Sequence, residues 1–170
     1  EGIDSLVSPV SEYVGIVESE DLQREIASPT LVVGVKSDDV VPIGTVYYCY
    51  SCAECNKMIA AASPGDTVVL RADIINHRGS CIDVANNGVI FDGDGHLIDG
   101  DGEDVDYGVG IIGRTRNTVR NCRITDFYRG IYLLDTGPNR ILNNEVGAEK
   151  APNAYGIYLA YCGDVLVEYN

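Results

Sequence analysis

The sequence predicts an all-β solenoid, a parallel β-helix with coils of about 22 residues, and three observations predict it. The first is an echo. Gly108-Val109-Gly110-Ile111 recurs as Gly130-Ile131-Tyr132-Leu133, and Asn117, Val119, Asn121 and Ile124 recur as Asn139, Ile141, Asn143 and Val146, each offset by 22. A third copy, Gly156-Ile157-Tyr158-Leu159 with Val167, follows the second by 26 residues, and the four extra residues fit in the polar stretch 147–153. A fixed period means stacked units, none able to bury its apolar face alone. The second observation is alternation. Ile131 and Leu133 flank Tyr132, and Thr118 and Arg120 flank Val119, the period of two that marks a strand. The third is the punctuation by Gly, Asn and Asp, which tolerate the positive φ that corners need. Leucine-rich repeats have a similar period, but the regular Leu pattern they require is absent.

Stacked coils lie about 4.8 Å apart. Ile111, Leu133 and Leu159 then form one internal column and Val109, Ile131 and Ile157 another. Asn117 over Asn139 and Asn121 over Asn143 read as amide ladders along the stack. The third copy breaks both, with Val165 and Tyr169 in those places.

The elements read in order as follows. Residues 1–45 lack the repeat and form an N-terminal arm. Within it Ser19 to Ala27 reads as a short helix, with Ser19 as its cap and acids in its first turn. Tyr13 to Val17, Leu31 to Val35 and Val40 to Ile43 read as strands, with Pro42 marking an edge. Residues 46–64 form a Cys-rich lead-in and a helix, about Ala53 to Ala62, which caps the first coil. The β-helix occupies 65–170 with four to five coils. The acidic stretch Asp101 to Asp106 bulges from it.

Three segments carry a family resemblance. They are Pro64-Gly65-Asp66-Thr67-Val68-Val69-Leu70, Cys81-Ile82-Asp83-Val84, and Phe91-Asp92-Gly93-Asp94-Gly95-His96-Leu97-Ile98-Asp99-Gly100. Together they resemble the opening of right-handed parallel β-helix proteins of the pectate-lyase-like superfamily, in its carbohydrate-binding and sugar-hydrolase repeat group. Tyr48 to Asn56 is similar to the same region of secreted archaeal members. The resemblance spans roughly residues 46–170 and implies a right-handed solenoid. It leaves activity open, because lyases, hydrolases, adhesins and inert surface proteins share the fold.

The chain has 170 residues, 45% of them hydrophobic, and no run of 18 apolar residues, so no membrane span is expected. It begins at Glu1 without Met, which fits a processed, secreted form at the cell surface or outside the cell. Net charge is -14 with only Lys36, Lys57 and Lys150 as lysines, a surface that opposes nucleic acid and anionic membranes.

Six cysteines are disulfide candidates for an oxidising compartment: Cys49, Cys52, Cys55, Cys81, Cys122 and Cys162. One of the first three is expected to bond Cys81 and staple the cap helix to the first coil. Cys122 and Cys162 hold non-equivalent repeat positions, so a buried thiol is the alternative for either. Cys49-x2-Cys52-x2-Cys55 also resembles part of an iron–sulfur set, but the fourth ligand and the following Pro are missing.

Asp92, Asp94, Asp99 and Asp101 are the calcium candidates, in the densest acidic stretch, although Asp-Gly steps are also ordinary coil corners. Tyr132 and Tyr158 occupy equivalent outward positions, where they stack on each other or on sugar rings. For lyase chemistry the available bases are Arg114, Arg116, Arg120, Arg123, Arg129 and Arg140, and for hydrolysis the acids are Asp126, Asp135 and Asp164. None of these shares a repeat position that would assemble a constellation. His77 and His96 stand apart from any ligand spacing, and no Ser-His-Asp, P-loop or dinucleotide pattern occurs. The chain stops within a strand pattern at Asn170. The leading expectation is therefore a non-catalytic structural protein that binds copies of itself, with the arm covering an open coil and filaments as a product. The alternatives are a polysaccharide-binding module or a polysaccharide lyase or hydrolase.

Overall fold

The computed structural model describes residues 44–103, 105–148 and 155–170. The helix and strands expected within residues 1–43 lie outside them. The chain runs β1 (Val46–Cys49), α1 (Cys52–Ala61), β2 (Thr67–Leu70), β3 (Ile74–His77), β4 (Ile82–Asp83), β5 (Ile90–Asp92), β6 (Leu97–Gly100) and β7 (Tyr107–Ile112). It continues through β8 (Thr118–Arg120), β9 (Arg123–Thr125), β10 (Arg129–Leu134), β11 (Asn139–Leu142), β12 (Glu145–Val146), β13 (Tyr155–Ala160) and β14 (Val165–Glu168).

Among the described residues all strand pairs are parallel, and three sheets line the solenoid. The first has the order β1-β2-β5-β8-β11-β14, the second β4-β7-β10-β13 and the third β3-β6-β9-β12. From β2 onward every third strand returns to the same sheet, which is the β-helix read from the repeat, and β1 adds to the outer edge of the first sheet across α1.

Alternation turns one set of side chains inward. In the first sheet Val68, Phe91, Val119 and Ile141 stack in one column. In the second sheet Ile82, Val109, Ile131 and Ile157 align. In the third, Ile74, Ile98, Ile124 and Val146 do so. Most of these side chains have no exposed area, so the hydrophobic driving force is shared along columns rather than at one centre. The two columns expected from the echo form in register, Ile111–Leu133–Leu159 and Val109–Ile131–Ile157, but Leu159, in the last described coil, is 45% exposed and not internal.

The period is less regular than the echo. In the first sheet Thr67 pairs with Ile90, Ile90 with Thr118, Thr118 with Arg140 and Arg140 with Leu166, steps of 23, 28, 22 and 26 residues. The 22-residue coil is therefore one coil length among several.

The amide ladders also differ from expectation. Asn117 and Asn139 do stack, but each side chain reaches a backbone group. Val89 donates its N–H to Asn117 Oδ1 at 2.9 Å, and Asn117 donates its own to Asn139 Oδ1 at 2.9 Å. Asn121 and Asn143 form no such ladder. Both take φ 54°, so they repeat because the corner needs a left-handed residue. The second ladder belongs to their neighbours. Cys122 donates its N–H to Asn144 Oδ1 at 3.1 Å, and Asn144 donates to Asn170 Oδ1 at 3.0 Å.

Helix α1 starts one residue before the expected position, with Ser51 as N-cap accepting from the Glu54 N–H. Cys52, Cys55 and Ile59 form its buried face. Asn56 fastens it to the edge of the second sheet, donating to the Cys81 carbonyl and accepting from the Asp83 N–H, both at 2.8 Å. Its side-chain amide thus substitutes for a neighbouring strand along β4. At the other end Asn86 Nδ2 donates to the carbonyls of Ile59 and Ala62, adding to the Ala62 N–H that Ile59 already accepts at the C-cap.

Candidate functional site

The six cysteines divide into two disulfides and two thiols. Cys49 bonds Cys55, and Cys52 bonds Cys81, so the second bridge staples α1 to the strand entering β4. Cys122 and Cys162 are free, which corrects their candidacy as disulfide partners. Cys122 is buried beneath Gly93, where any Cβ would lie 2.8 Å from its sulfur and 2.7 Å from the Asn121 carbonyl. Burial pushes its thiol well above the ordinary range, so it is an inert core group. Cys162 is half-buried and receives the Thr136 hydroxyl at 3.4 Å.

The calcium candidates have separate tasks. Asp92 accepts from Arg120 Nε at 2.7 Å, from Asn121 Nδ2 at 3.0 Å and from the Asp94 N–H at 3.0 Å. Asp94 pairs with Arg71 at 2.7 Å on the exposed surface. Asp99 accepts from the Asn76 N–H and the Thr125 hydroxyl. Asp101 closes a local turn with the Glu103 N–H. Among the described residues these four carboxylates do not converge on one ion-sized space; the one group of three or more metal-ligating side chains that does is Cys52, His77 and Cys81.

The hydrolytic candidates are corner residues. Asp126, Asp135 and Asp164 take φ 60°, 50° and 53°, and Asp is suited to such left-handed positions. Arg120 is paired with Asp92 and lies under Leu142 in the next coil. His96 contacts exposed Asp73 at 3.0 Å. The Leu97 N–H, then His96, holds the Asp73 carboxyl below its usual range.

The second sheet does bring functional residues together. Alternation that sends Val109, Ile131 and Ile157 inward sends Gly110, Tyr132 and Tyr158 outward. Three residues earlier in each coil, Tyr107, Arg129 and Tyr155 are in register. Gly110 is required here, because its Cβ would collide with Cε2 of Tyr107, whose ring lies across the strand. Tyr107 and Tyr132 are 5.8 Å apart between centroids, and Tyr132 and Tyr158 also 5.8 Å. Tyr155 meets Tyr158 edge-on at 5.1 Å, and Tyr128 meets Tyr155 at 5.7 Å.

Arg129 stands in the middle. Its guanidinium carbon is 5.0 Å from the Tyr128 ring, 4.8 Å from Tyr132 and 5.1 Å from Tyr158, within cation–π range of all three. Its Nε is buried without a hydrogen-bond partner. Tyr107 has its phenol pushed up, first by burial and then by the charge of Asp83. The result is a face of five tyrosines with one cation held among their rings. Sequence reasoning found Tyr132 and Tyr158, named Arg129 only as a base for lyase chemistry, and missed Tyr107, Tyr128 and Tyr155. The signal was present, since Tyr107, Arg129 and Tyr155 share a repeat position with the same offsets of 22 and 26.

Residues 58–170 match the family described as the right handed beta helix region. The chain belongs to this family. No curated protein and no solved structure matches the chain. Membership of the β-helix family accounts for the columns, corners and sheets, and it leaves the tyrosine face as a property of this chain.

Proposed function

We propose that this β-helix is a secreted, non-catalytic scaffold that binds polysaccharide across the tyrosine face of its second sheet. The observation that carries the reading is the array of Tyr107, Tyr132, Tyr158, Tyr155 and Tyr128 around Arg129. Ring faces and edges stack on the apolar side of sugar rings, and polar phenol and guanidinium tips serve the hydroxyl groups. Rings fixed on adjacent strands are held before the ligand arrives, so little ordering entropy is lost on binding. The net charge of -14 opposes nucleic acid as the occupant. Two disulfides and the resemblance to the pectate-lyase-like superfamily support an oxidising, extracellular setting. Among the described residues no helix is long and apolar enough to cross a membrane.

The test is a glycan array followed by affinity titration. Tyr132→Ala and Tyr158→Ala are each expected to weaken binding about fivefold, from a stacking loss of about 1 kcal/mol. Far-UV circular dichroism should not change. An array on which the folded protein captures nothing, or variants that bind like the parent, refutes the reading.

Self-association into filaments is the second reading. It is supported by the outer edge of β14, where Leu166 and Val167 are each 40% exposed. Such an edge accepts a further coil of the same chain or a strand from a second copy. Sedimentation velocity over a hundredfold concentration range separates the two, since only the second gives species that grow with concentration.

A further inference from the structure

The lead-in between α1 and the third sheet brings three metal-ligating side chains together. One sulfur from Cys52, one from Cys81 and an imidazole nitrogen of His77 all lie within 4.8 Å of one another. In the oxidised chain the two sulfurs are spent on each other. We propose that reduction of the Cys52–Cys81 bond opens a binding site for a thiophilic divalent ion of the zinc type, held by Cys52, Cys81 and His77.

Several features converge on this position. Cys52 and Cys81 are buried at 6% and 1% exposure, and His77 is half-buried beside them. A tetrahedral zinc site with thiolate bonds of about 2.3 Å and imidazole bonds of about 2.0 Å spaces its ligand atoms about 3.3–3.8 Å apart. Side-chain rotation of two released cysteines whose Cα atoms are 5.0 Å apart reaches that spacing without unstacking a coil.

The strand carrying His77 is irregular just before it. Ile74 pairs with Ile98 and His77 with Gly100, so β3 spends three steps where β6 spends two. Asn76, just before His77, takes φ 53°. An extra residue of this kind re-aims the side chain that follows it. The Ser80 carbonyl lies 3.4 Å from His77 Nε2 and restrains the ring, the role outer partners have for ligating histidines. Cys52 is the first residue of α1, where the helix N-terminus favours a thiolate.

The balance is simple. A dithiol supplies two electrons and two protons and becomes its own disulfide, or a phosphine supplies the electrons and becomes its oxide, with water giving the oxygen and the protons; the Cys52–Cys81 bond breaks, and two thiols form. The ion then displaces two protons and binds two thiolates and a neutral imidazole, leaving its fourth position to water. The staple between α1 and the first coil is thereby kept in a reducing medium, with a metal bridge in place of the sulfur bridge.

The experiment uses the full chain with Cys49→Ser and Cys55→Ser, so that the other bridge contributes no thiols. The protein is reduced with a phosphine and titrated with Co2+, whose visible bands report tetrahedral thiolate ligation; Zn2+ then competes. The expected result is one Co2+ per chain, thiolate-to-cobalt absorption, and no uptake before reduction. His77→Ala should lower the affinity by at least tenfold and shift the ligand-field bands, and Cys81→Ser should abolish the thiolate absorption of the pair. No uptake after reduction overturns the proposal. So does uptake that is unchanged in His77→Ala, which is the behaviour of unfolded thiols, or equal uptake by the oxidised chain. Glycan binding is measured in parallel and is independent of this outcome.

Discussion

Asn139 and Asn143 look alike in the sequence, because each follows an Asn by 22 residues. In the fold their replacement by alanine is expected to differ about threefold in cost. Asn139 is 2% exposed and makes three contacts. Its Oδ1 accepts from the Asn117 N–H at 2.9 Å, and its Nδ2 donates to the carbonyls of Arg114 at 3.0 Å and Gly137 at 3.1 Å. Asn139→Ala leaves a buried amide and two part-buried carbonyls without these partners. At about 1 kcal/mol for each group, the low end for unmade buried hydrogen bonds, the loss is about 3 kcal/mol, roughly 150-fold in the unfolding equilibrium. Asn143 is exposed and holds φ 54°. Asn143→Ala loses chiefly the tolerance of asparagine for the left-handed region, about 1 kcal/mol. The assay is urea unfolding followed by far-UV circular dichroism and by tyrosine fluorescence, which reports well here because the chain has 11 Tyr and no Trp. Equal m-values for both variants and the parent establish that the midpoints compare like with like. Equal losses for the two variants, or a larger loss at Asn143, refute the amide-to-backbone ladder.

Three further outcomes are expected. Gly130→Ala drives a Cβ into Val146 Cγ1 and to 2.7 Å from the Gly156 carbonyl; an overpacking loss of about 1–3 kcal/mol in urea midpoint is expected, and a neutral variant would show that the coils are not this closely nested. Removing the Cys52–Cys81 bridge, with a separation of 29 residues, should cost about 3.6 kcal/mol and removing Cys49–Cys55, with a separation of 6, about 2.2 kcal/mol on loop entropy alone. Paired Cys→Ser variants compared by thermal unfolding check that order, and its inversion would mean strain or residual structure dominates. Tyr107 keeps its proton to higher pH when folded than when unfolded, so its contribution to stability is intact below its unfolded pKa of about 10 and falls as pH rises above it. Tyr107→Phe should flatten that alkaline decline in urea midpoints; an unchanged slope would assign it elsewhere.

The columns were legible in the sequence because a buried strand residue leaves a chemical signature, and the same signature recurs in each coil. Ile131 and Leu133 announce both strand and register. Corner residues are harder to read. Asn121 and Asn143 repeat for their backbone angle, while Asn144 repeats for its side chain and meets Asn170 only after a step of 26. One residue type serves both purposes, so an echo alone does not separate them. The acids of residues 92–101 were dense along the chain, but the corner between β5 and β6 divides them among Arg120, Arg71, Asn76 and Thr125. Proximity in sequence is a poor guide where the chain turns every few residues. The tyrosine face was half visible. Two of its rings were found by period; Tyr107, Arg129 and Tyr155 share a second repeat position that the change from Tyr to Arg disguised, while Tyr128 joins through side-chain reach, which no repeat pattern records.

The unequal coil lengths have a consequence for alteration of this protein. Steps of 22, 23, 26 and 28 residues all end in the same stacking register. Register is written in the strands, and length is written in the bends between them. Foreign peptide of several residues can therefore be spliced between β12 and β13, or between β6 and β7, at a loop-closure cost that grows only with the logarithm of its length. The neighbouring columns would hold their alignment. Such a chain is a rack with adjustable pegs: display of an epitope, or of a second set of aromatic rings beside the first, needs changes in the bends and none in the interior.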